Sequence, residues 1–335
     1  MARKGSALMQ ESWLRAPAAD PDRLDSMRDW FPVALDAQAV AWRHLPLRFG
    51  EPFFGDTLLA QPREDRRVCH TSYDRLDDAG EALAPSVFIF HSSRCGSTLL
   101  AQMLAALPQC VVHSEPPVID DFFSRHGDAE LAQAVPLLRR LVGALGQRRS
   151  ALETHYIVKL DCWHMRHLPL LRAAYPDTPF WFLYREPGAV MASHRRQRGP
   201  QMVPGLVPGV LPQEVSARIE AWDLEGWCAG VLRQIFGTAL AHAGQLRLLD
   251  YRQLPGVVWQ ELLAELGLAP APPHLDALRA RAGFHAKRAA QVFGGDPAPE
   301  KEAAPHLPQL LAGLAPLYAQ LEELRLSRLS LLSRS

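Results

Sequence analysis

The sequence predicts an α/β fold in three layers, with a mostly parallel central sheet flanked by helices and an N-terminal extension. Three observations predict it. Continuous apolar runs such as Ser86–Phe90 (SVFIF) and Phe180–Tyr184 (FWFLY) have the composition of strands buried on both faces. Between them lie amphipathic stretches, as in 97–107, where Leu99, Leu100, Met103, Leu104 and Leu107 share one helical face. The two patterns alternate from residue 81 onward, and strands joined through helices run parallel.

Taken in order, residues 1–80 form the extension, rich in Trp13, Trp30, Phe31, Trp42, Phe53 and Phe54, which suits an apolar cap. An acidic, turn-like stretch at 74–81 separates it from the main unit, residues 81–330. There the first strand is 86–90 and the first helix 97–107. Val111 and Val112 make a short second strand, 128–147 an amphipathic helix and 155–160 (HYIVKL) a third strand. A helix over 164–175 stops at Pro176, and Pro187 stands where a helix begins after the strand 180–184. One long helix or two span 212–242, a further strand covers 246–249, and helices at 258–266, 275–282 and 308–324 close the chain. The Pro- and Gly-spaced segment 199–212 (GPQMVPGLVPGVLP) excludes regular structure. It reads equally as a mobile lid over a pocket or as a plain surface connection.

Composition narrows the function. Lys plus Arg equals Asp plus Glu at 36 each, so no global field draws the protein to nucleic acid or an anionic membrane. Any anion site must be local. The 5 cysteines are scattered and never form a C-x-x-C pair, which argues against disulfide and zinc frameworks. With no apolar run long enough to span a membrane and no apolar stretch after the charged start, the expectation is a cytoplasmic protein.

The segment His91–Thr98 (HSSRCGST) lies between a buried strand and a helix. A helix N-terminus offers free amides and partial positive charge to an anion, and Gly96 lets the backbone approach closely. Ser92, Ser93, Ser97 and Thr98 add hydroxyls, and Arg94 adds a fixed cation with bidentate geometry. The loop lacks the Lys of the nucleoside-triphosphatase pattern G-x-x-x-x-G-K-[ST]. A serine-rich helix cap is the structural alternative. A second constellation follows the strand 180–184: Arg185-Glu186-Pro187, then a helix carrying Ser193, eight residues after Arg185. An Arg at a strand end and a Ser on the next helix suit a second, separate phosphate.

Together and in this order, the two motifs resemble the sulfotransferases that use 3′-phosphoadenosine 5′-phosphosulfate (PAPS). The first corresponds to Ser93-Arg94-Cys95-Gly96-Ser97-Thr98, the second to Arg185-Glu186-Pro187 with Ser193. Asp250-Tyr251-Arg252-Gln253-Leu254 is similar to a later family segment, with Arg and Gln replacing acids. The resemblance covers roughly residues 85–290 and implies a P-loop-like fold with PAPS as sulfuryl donor and no metal. It implies that Ser93, Arg94, Cys95, Gly96, Ser97 and Thr98 hold the 5′-phosphosulfate, and Arg185 and Ser193 the 3′-phosphate. Lys287 and Arg288 are its candidates for the late nucleotide-contacting loop. It implies Glu115 as general base, with His113 as the competing base. Arg94 would stabilise the leaving oxygen. Lys159, at its strand's end, reads equally as facing the sulfate or the acceptor and as a snorkelling surface lysine.

Departures from the family are Ser93 in place of Pro and Cys95 in place of Ser or Thr; neither removes a backbone donor. The acceptor is expected to be a small, lipid-like or peptide molecule, met by the aromatic 1–80 section and the 199–212 loop. His164 and His167, spaced i, i+3, lack a third ligand and read as helix-surface histidines. The basic run 194–198 is too short to indicate nucleic acid. Two rival readings are an ATP-using P-loop kinase or nucleotidase and a non-catalytic nucleotide-binding module.

Overall fold

The computed structural model describes residues 14–220, 222–285, 288–292 and 305–332. The chain begins with an antiparallel sheet of β1 (Trp30–Leu35), β2 (Val40–His44) and, after helix α1 (Phe54–Ala60), β3 (Val68–Thr71). The main unit then runs β4 (Pro85–His91), α2 (Ser97–Ala105), β5 (Cys110–Ser114), α3 (Pro117–His126), α4 (Leu131–Leu145) and β6 (His155–Lys159). It continues through α5 (Leu168–Ala174), β7 (Phe180–Tyr184), α6 (Pro187–Arg196), α7 (Leu224–Ala241) and β8 (Arg247–Asp250). It closes with α8 (Pro272–Ala282), the short pair β9 (Phe284–His285) and β10 (Arg288–Val292), and α9 (Leu307–Leu332).

The central sheet has 5 strands in the order β5-β6-β4-β7-β8, all parallel. Alternate residues of its buried strands enter different cores, because successive side chains point to opposite faces. Phe88, Phe90, Phe180, Phe182 and Tyr184 join one core with α3 to α7, α9 and the N-terminal sheet. Val87, Ile89, Trp181 and Leu183 join the other, with α2 and α8. This is the physical content of three layers: the sheet in the middle, helices on both sides. Trp181 and Phe180 are fully buried or nearly so, and each such side chain contributes about 1.5–3 kcal/mol.

The N-terminal sheet packs against α3 and α4 through β1, and Phe31 and Trp42 are buried in the shared core. Hydrogen bonds reinforce the seam: Leu35 N–H donates to Asp121 (2.9 Å), and Arg48 Nη2 donates to the Ala105 carbonyl (2.9 Å).

Several boundaries differ from the sequence expectation. The second strand of the main unit is longer than Val111–Val112, and α3 stands where no helix was expected, started by Pro117 at its first turn. The helix expected over 128–147 begins at Leu131. The one expected over 164–175 splits into a 3₁₀ turn (Cys162–His167) and α5. Pro169, at the start of α5, lacks the N–H that would bond the carbonyl four residues back, and the 3₁₀ turn gives way to α5 just before it. Over 212–242 there is a short turn of helix, Gln213–Ser216, and then α7, begun where Asp223 accepts from Gly226 N–H at 2.8 Å. Among the described residues no helix is long and apolar enough to cross a membrane.

Candidate active site

Every strand of the parallel sheet delivers a segment to one cavity of about 490 Å³ at its carboxyl edge. That is where ligands sit in such folds. After β4 comes the 91–98 loop, after β5 Glu115, after β6 Asp161, after β7 Arg185 and after β8 Tyr251; all line the cavity.

The loop is held in a strained shape. Ser93 (φ 67°), Arg94 (φ 48°) and Gly96 (φ 85°) have left-handed backbones, which cost about 1–3 kcal/mol each at the two non-glycine positions. Gly96 also lies under β8's following turn: a Cβ there would come within 2.7 Å of Leu254 Cδ1 and 3.1 Å of Tyr251 Cδ2. The N-cap of α2 is Gly96, which has no side chain to cap the first turn; Ser97 and Thr98 line the cavity there, with the Ser97 amide directed at the Cys95 sulfur. Ser93 faces inward to the scaffold. Its hydroxyl meets His194 Nε2 (3.1 Å) and accepts from Gln201 Nε2 (3.0 Å), while its N–H donates to His91 Nδ1 (3.0 Å).

Cys95 is buried and its thiol meets the Leu183 carbonyl at 3.1 Å; burial pushes its pKa up, so it is a small packing residue. Arg94 lines the cavity and donates to the Gln197 carbonyl at the end of α6. Burial, followed by Arg196, lowers its proton affinity.

Arg185 lies over the Tyr251 ring, 4.3 Å from its centroid, and donates to the Arg94 carbonyl at 3.3 Å. It thereby ties the second constellation to the first. Ser193 lines the same cavity from α6. Glu186, between Arg185 and Pro187, accepts from Gly188 N–H (2.8 Å) and Ala189 N–H (2.7 Å) and so caps α6. In the 250–254 segment, Asp250 and Gln253 form a reciprocal capping box, which accounts for the Gln. Arg252 pairs with Asp250 and Glu322. Of the late basic pair, Arg288 opens β10 and Lys287 lies outside the described residues.

At the start of the loop lies a cluster of ionisable groups. Glu115 has a left-handed backbone (φ 55°), and its N–H donates to the Lys159 carbonyl at 2.7 Å. Lys159 Nζ is ion-paired with Glu115 Oε1, and His91 Nε2 lies 3.4 Å from the same oxygen. Lys159 is completely buried, 5.4 Å over the Phe53 ring, and is thus no snorkelling surface lysine. Burial opposes ionisation of Glu115, but the Lys159 charge and His91 outweigh it and hold the carboxyl below its usual range. The neighbouring Asp161 is buried too. Burial and then the Glu115 and Asp120 charges push it well above the ordinary carboxylate range.

His113 stands apart from the cavity. It packs edge-on against Phe49 (4.3 Å between centroids), Phe31 and Phe54, and burial lowers its pKa to about 3. The expectation of surface histidines at 164 and 167 is overturned. His164 bonds Asp120 (3.0 Å), and His167 stacks flat on Phe123 at 4.2 Å. Both are buried because the 3₁₀ turn that carries them packs on α3. Among the described residues no group of three or more His, Cys, Asp or Glu is arranged to hold a metal.

The 199–212 segment is irregular except for a 3₁₀ turn over Pro200–Met202, which the sequence expectation excluded, and its start is part of the cavity wall: Gln201 is buried against Ser93 and its carbonyl accepts from Trp227 Nε1 at 3.0 Å. Sequence reasoning missed Gln201, Trp163 and Asp161. Only Asp161 carried a signal, as a second charged residue just past the end of an apolar strand.

The sequence model of the sulfotransferase family matches residues 85–256, just over half of the chain. No curated protein sequence matches it. Among solved structures, a sulfotransferase from Alicyclobacillus acidocaldarius is 18% identical, over 72% of this chain and 96% of that one, with a TM-score of 0.41. The sulfotransferase STF1 from Mycobacterium tuberculosis is 17% identical, over 62% and 75%, with a TM-score of 0.37. Mouse sulfotransferase SULT7A1, solved in complex with PAP, is 12% identical, over 64% and 72%, with a TM-score of 0.32.

Proposed function

The chain belongs to the sulfotransferase family, and on that premise we propose that it transfers a sulfuryl group from PAPS to a hydroxyl or amine of a small, lipid-like or peptide acceptor. One observation carries the reading: the uncapped N-terminus of α2 and the Arg185/Ser193 pair line one cavity. Two anion sites in one cavity suit a nucleotide with phosphates at two separate positions. The volume lies in the range of about 300–1,000 Å³ common for ligand pockets.

The roles follow from position. The amides at Gly96, Ser97 and Thr98 bind the 5′-phosphosulfate, with the Ser97 and Thr98 hydroxyls as further donors. Arg185 and Ser193 bind the 3′-phosphate and so select PAPS over ATP. When bound, PAPS supplies an activated sulfuryl group, and Arg94 neutralises the phosphate oxygen as the sulfur–oxygen bond breaks. Most of the acceleration comes from positioning and charge stabilisation. Lys159 and Glu115 stand on the acceptor side, and a carboxylate of that cluster takes the acceptor's proton. Residues 1–80 act as a cap on the 81–330 domain and shape the acceptor side through Phe53. The five cysteines are buried thiols, in keeping with a cytoplasmic setting.

Thermal shift tests the reading. Adenosine 3′,5′-bisphosphate should raise the melting temperature, because a ligand bound only by the native state stabilises it. Stabilisation by ATP with none by the bisphosphate would instead mark a kinase or nucleotidase.

A further inference from the structure

We propose that Asp161 takes the proton of the acceptor, and that Glu115 is its positioning partner. The inference rests on the sulfuryl-transfer reading and assigns a role within that site. The bond from Glu115 N–H to the Lys159 carbonyl clamps the ends of β5 and β6 together, so that Glu115 and Asp161 share one corner of the cavity and both line it. A proton on Asp161 is donated to the Glu115 carboxylate, so the bond between them forms only when Asp161 has taken one up.

The two carboxyls are treated differently by their neighbours. Glu115 is committed: its Oε1 holds the Lys159 ammonium and faces His91 Nε2. The Ser93 N–H on His91 Nδ1 leaves the ring proton of the neutral imidazole on Nε2, directed at Glu115. Protonating Glu115 would forfeit both interactions. Asp120, the third carboxyl of the corner, is committed as well, to His164 (3.0 Å) and Trp163 Nε1 (2.6 Å).

Asp161 is faced by Glu115 from the end of β5, Asp120 from α3, Lys159 from β6 and Cys162 beside it. Among the described residues no cation bonds it: the ammonium of Lys159 goes to Glu115. Two nearby carboxylates and burial raise its affinity for a proton, which is what a general base working near neutral pH requires.

The acceptor oxygen forms a bond to sulfur, and its proton passes to the Asp161 carboxylate. The bond from sulfur to the bridging oxygen breaks, and the electron pair stays on the phosphate oxygen beside Arg94.

Carboxyl ¹³C NMR of protein labelled at aspartate tests the assignment without any acceptor. One signal, absent from Asp161→Asn, should titrate above the ordinary aspartate value of about 3.9 and move down in Glu115→Gln. An Asp161 signal in the ordinary range, or one that Glu115→Gln leaves in place, overturns the proposal. Turnover of PAPS with 2-naphthol or water as sulfuryl acceptor gives a second reading. Asp161→Asn should lower kcat by about 10²–10⁴-fold and flatten the acid limb of its pH profile. Glu115→Gln should lower kcat less and shift that limb to lower pH. The reverse pattern makes Glu115 the base. The bisphosphate melting shift should persist in Asp161→Asn. Its absence from the wild type would count against the sulfotransferase reading, while the titration still decides whether Asp161 and Glu115 are coupled.

Discussion

On one side of the cavity, the donor side in the proposed reading, lie the start of α2, Arg94 and Arg185. On the other side His91, Glu115, Lys159 and Asp161, delivered by three neighbouring strands, gather around the Glu115–Lys159 ion pair, and all but the buried Lys159 line the cavity. The first half is local. All its donors but Arg185 follow from one loop, and Cys95 can replace a hydroxyl residue there without removing an amide. The second half is a balance of charges, in which each group's protonation is set by residues far away in sequence. A substitution on the donor side should therefore remove one interaction, whereas one on the acceptor side should disturb the whole cluster.

The largest expected effect tests that contrast directly. Lys159→Met strips the buried cation from Glu115 and should destabilise the protein by about 3–5 kcal/mol at neutral pH, measured by urea unfolding. In the wild type the folded pKa of Glu115 is depressed. Its stabilisation is therefore present above the unfolded value of about 4.3 and is lost as pH falls through the folded value. The deficit of Lys159→Met should shrink accordingly as the solution is acidified below that unfolded value. A deficit independent of pH would mean that the cluster is held by packing.

Arg94→Ala should lower PAPS turnover by about 10²–10³-fold while leaving the bisphosphate-induced melting shift largely intact. Equal loss of both would place Arg94 in ground-state binding. Arg185→Ala should abolish that shift, which is worth about 2.7 kcal/mol at a ligand concentration one hundred times Kd. A retained shift would return the second motif to a purely structural role.

The smallest effect concerns the acid sensitivity of the core. His113 is buried neutral, with its pKa lowered to about 3. The unfolded chain, titrating near 6.5, binds a proton first. The stability this histidine contributes is thus full above about pH 6.5 and is lost progressively as pH falls toward 3. His113→Phe keeps the apolar packing, should stay within about 1.5 kcal/mol of wild type at pH 8, and should flatten that acid slope. Loss of turnover in this variant would return His113 to the mechanism.

Much of the fold was legible in the sequence, because a strand buried on both faces writes itself as an unbroken apolar run. Ser86–Phe90 and Phe180–Tyr184 are β4 and β7, adjacent at the centre of the sheet. The helix α3 was not legible. Its residues Ile119, Phe122 and Phe123 are interleaved with Asp120, Asp121 and Arg125, and its partner face belongs to the N-terminal sheet. Lys159 was visible as a charge at a strand end. Its burial was not, since Phe53 and Glu115 cover it from elsewhere in the chain.

The sequence by itself determined the alternation of strands and helices, the placing of Ser93–Thr98 at a helix start, and that of Arg185 and Ser193 after the strand 180–184. Those features depend on periodicity, on glycine's freedom and on the amides at a helix start, all of which are local. The tertiary structure decided which carboxyl is bound to a cation, which histidine lies in the core and how Gln201 closes the wall behind Ser93. Proton affinity depends on charge and solvent within a few ångströms, and those neighbours are brought together only when β4, β5 and β6 align in register.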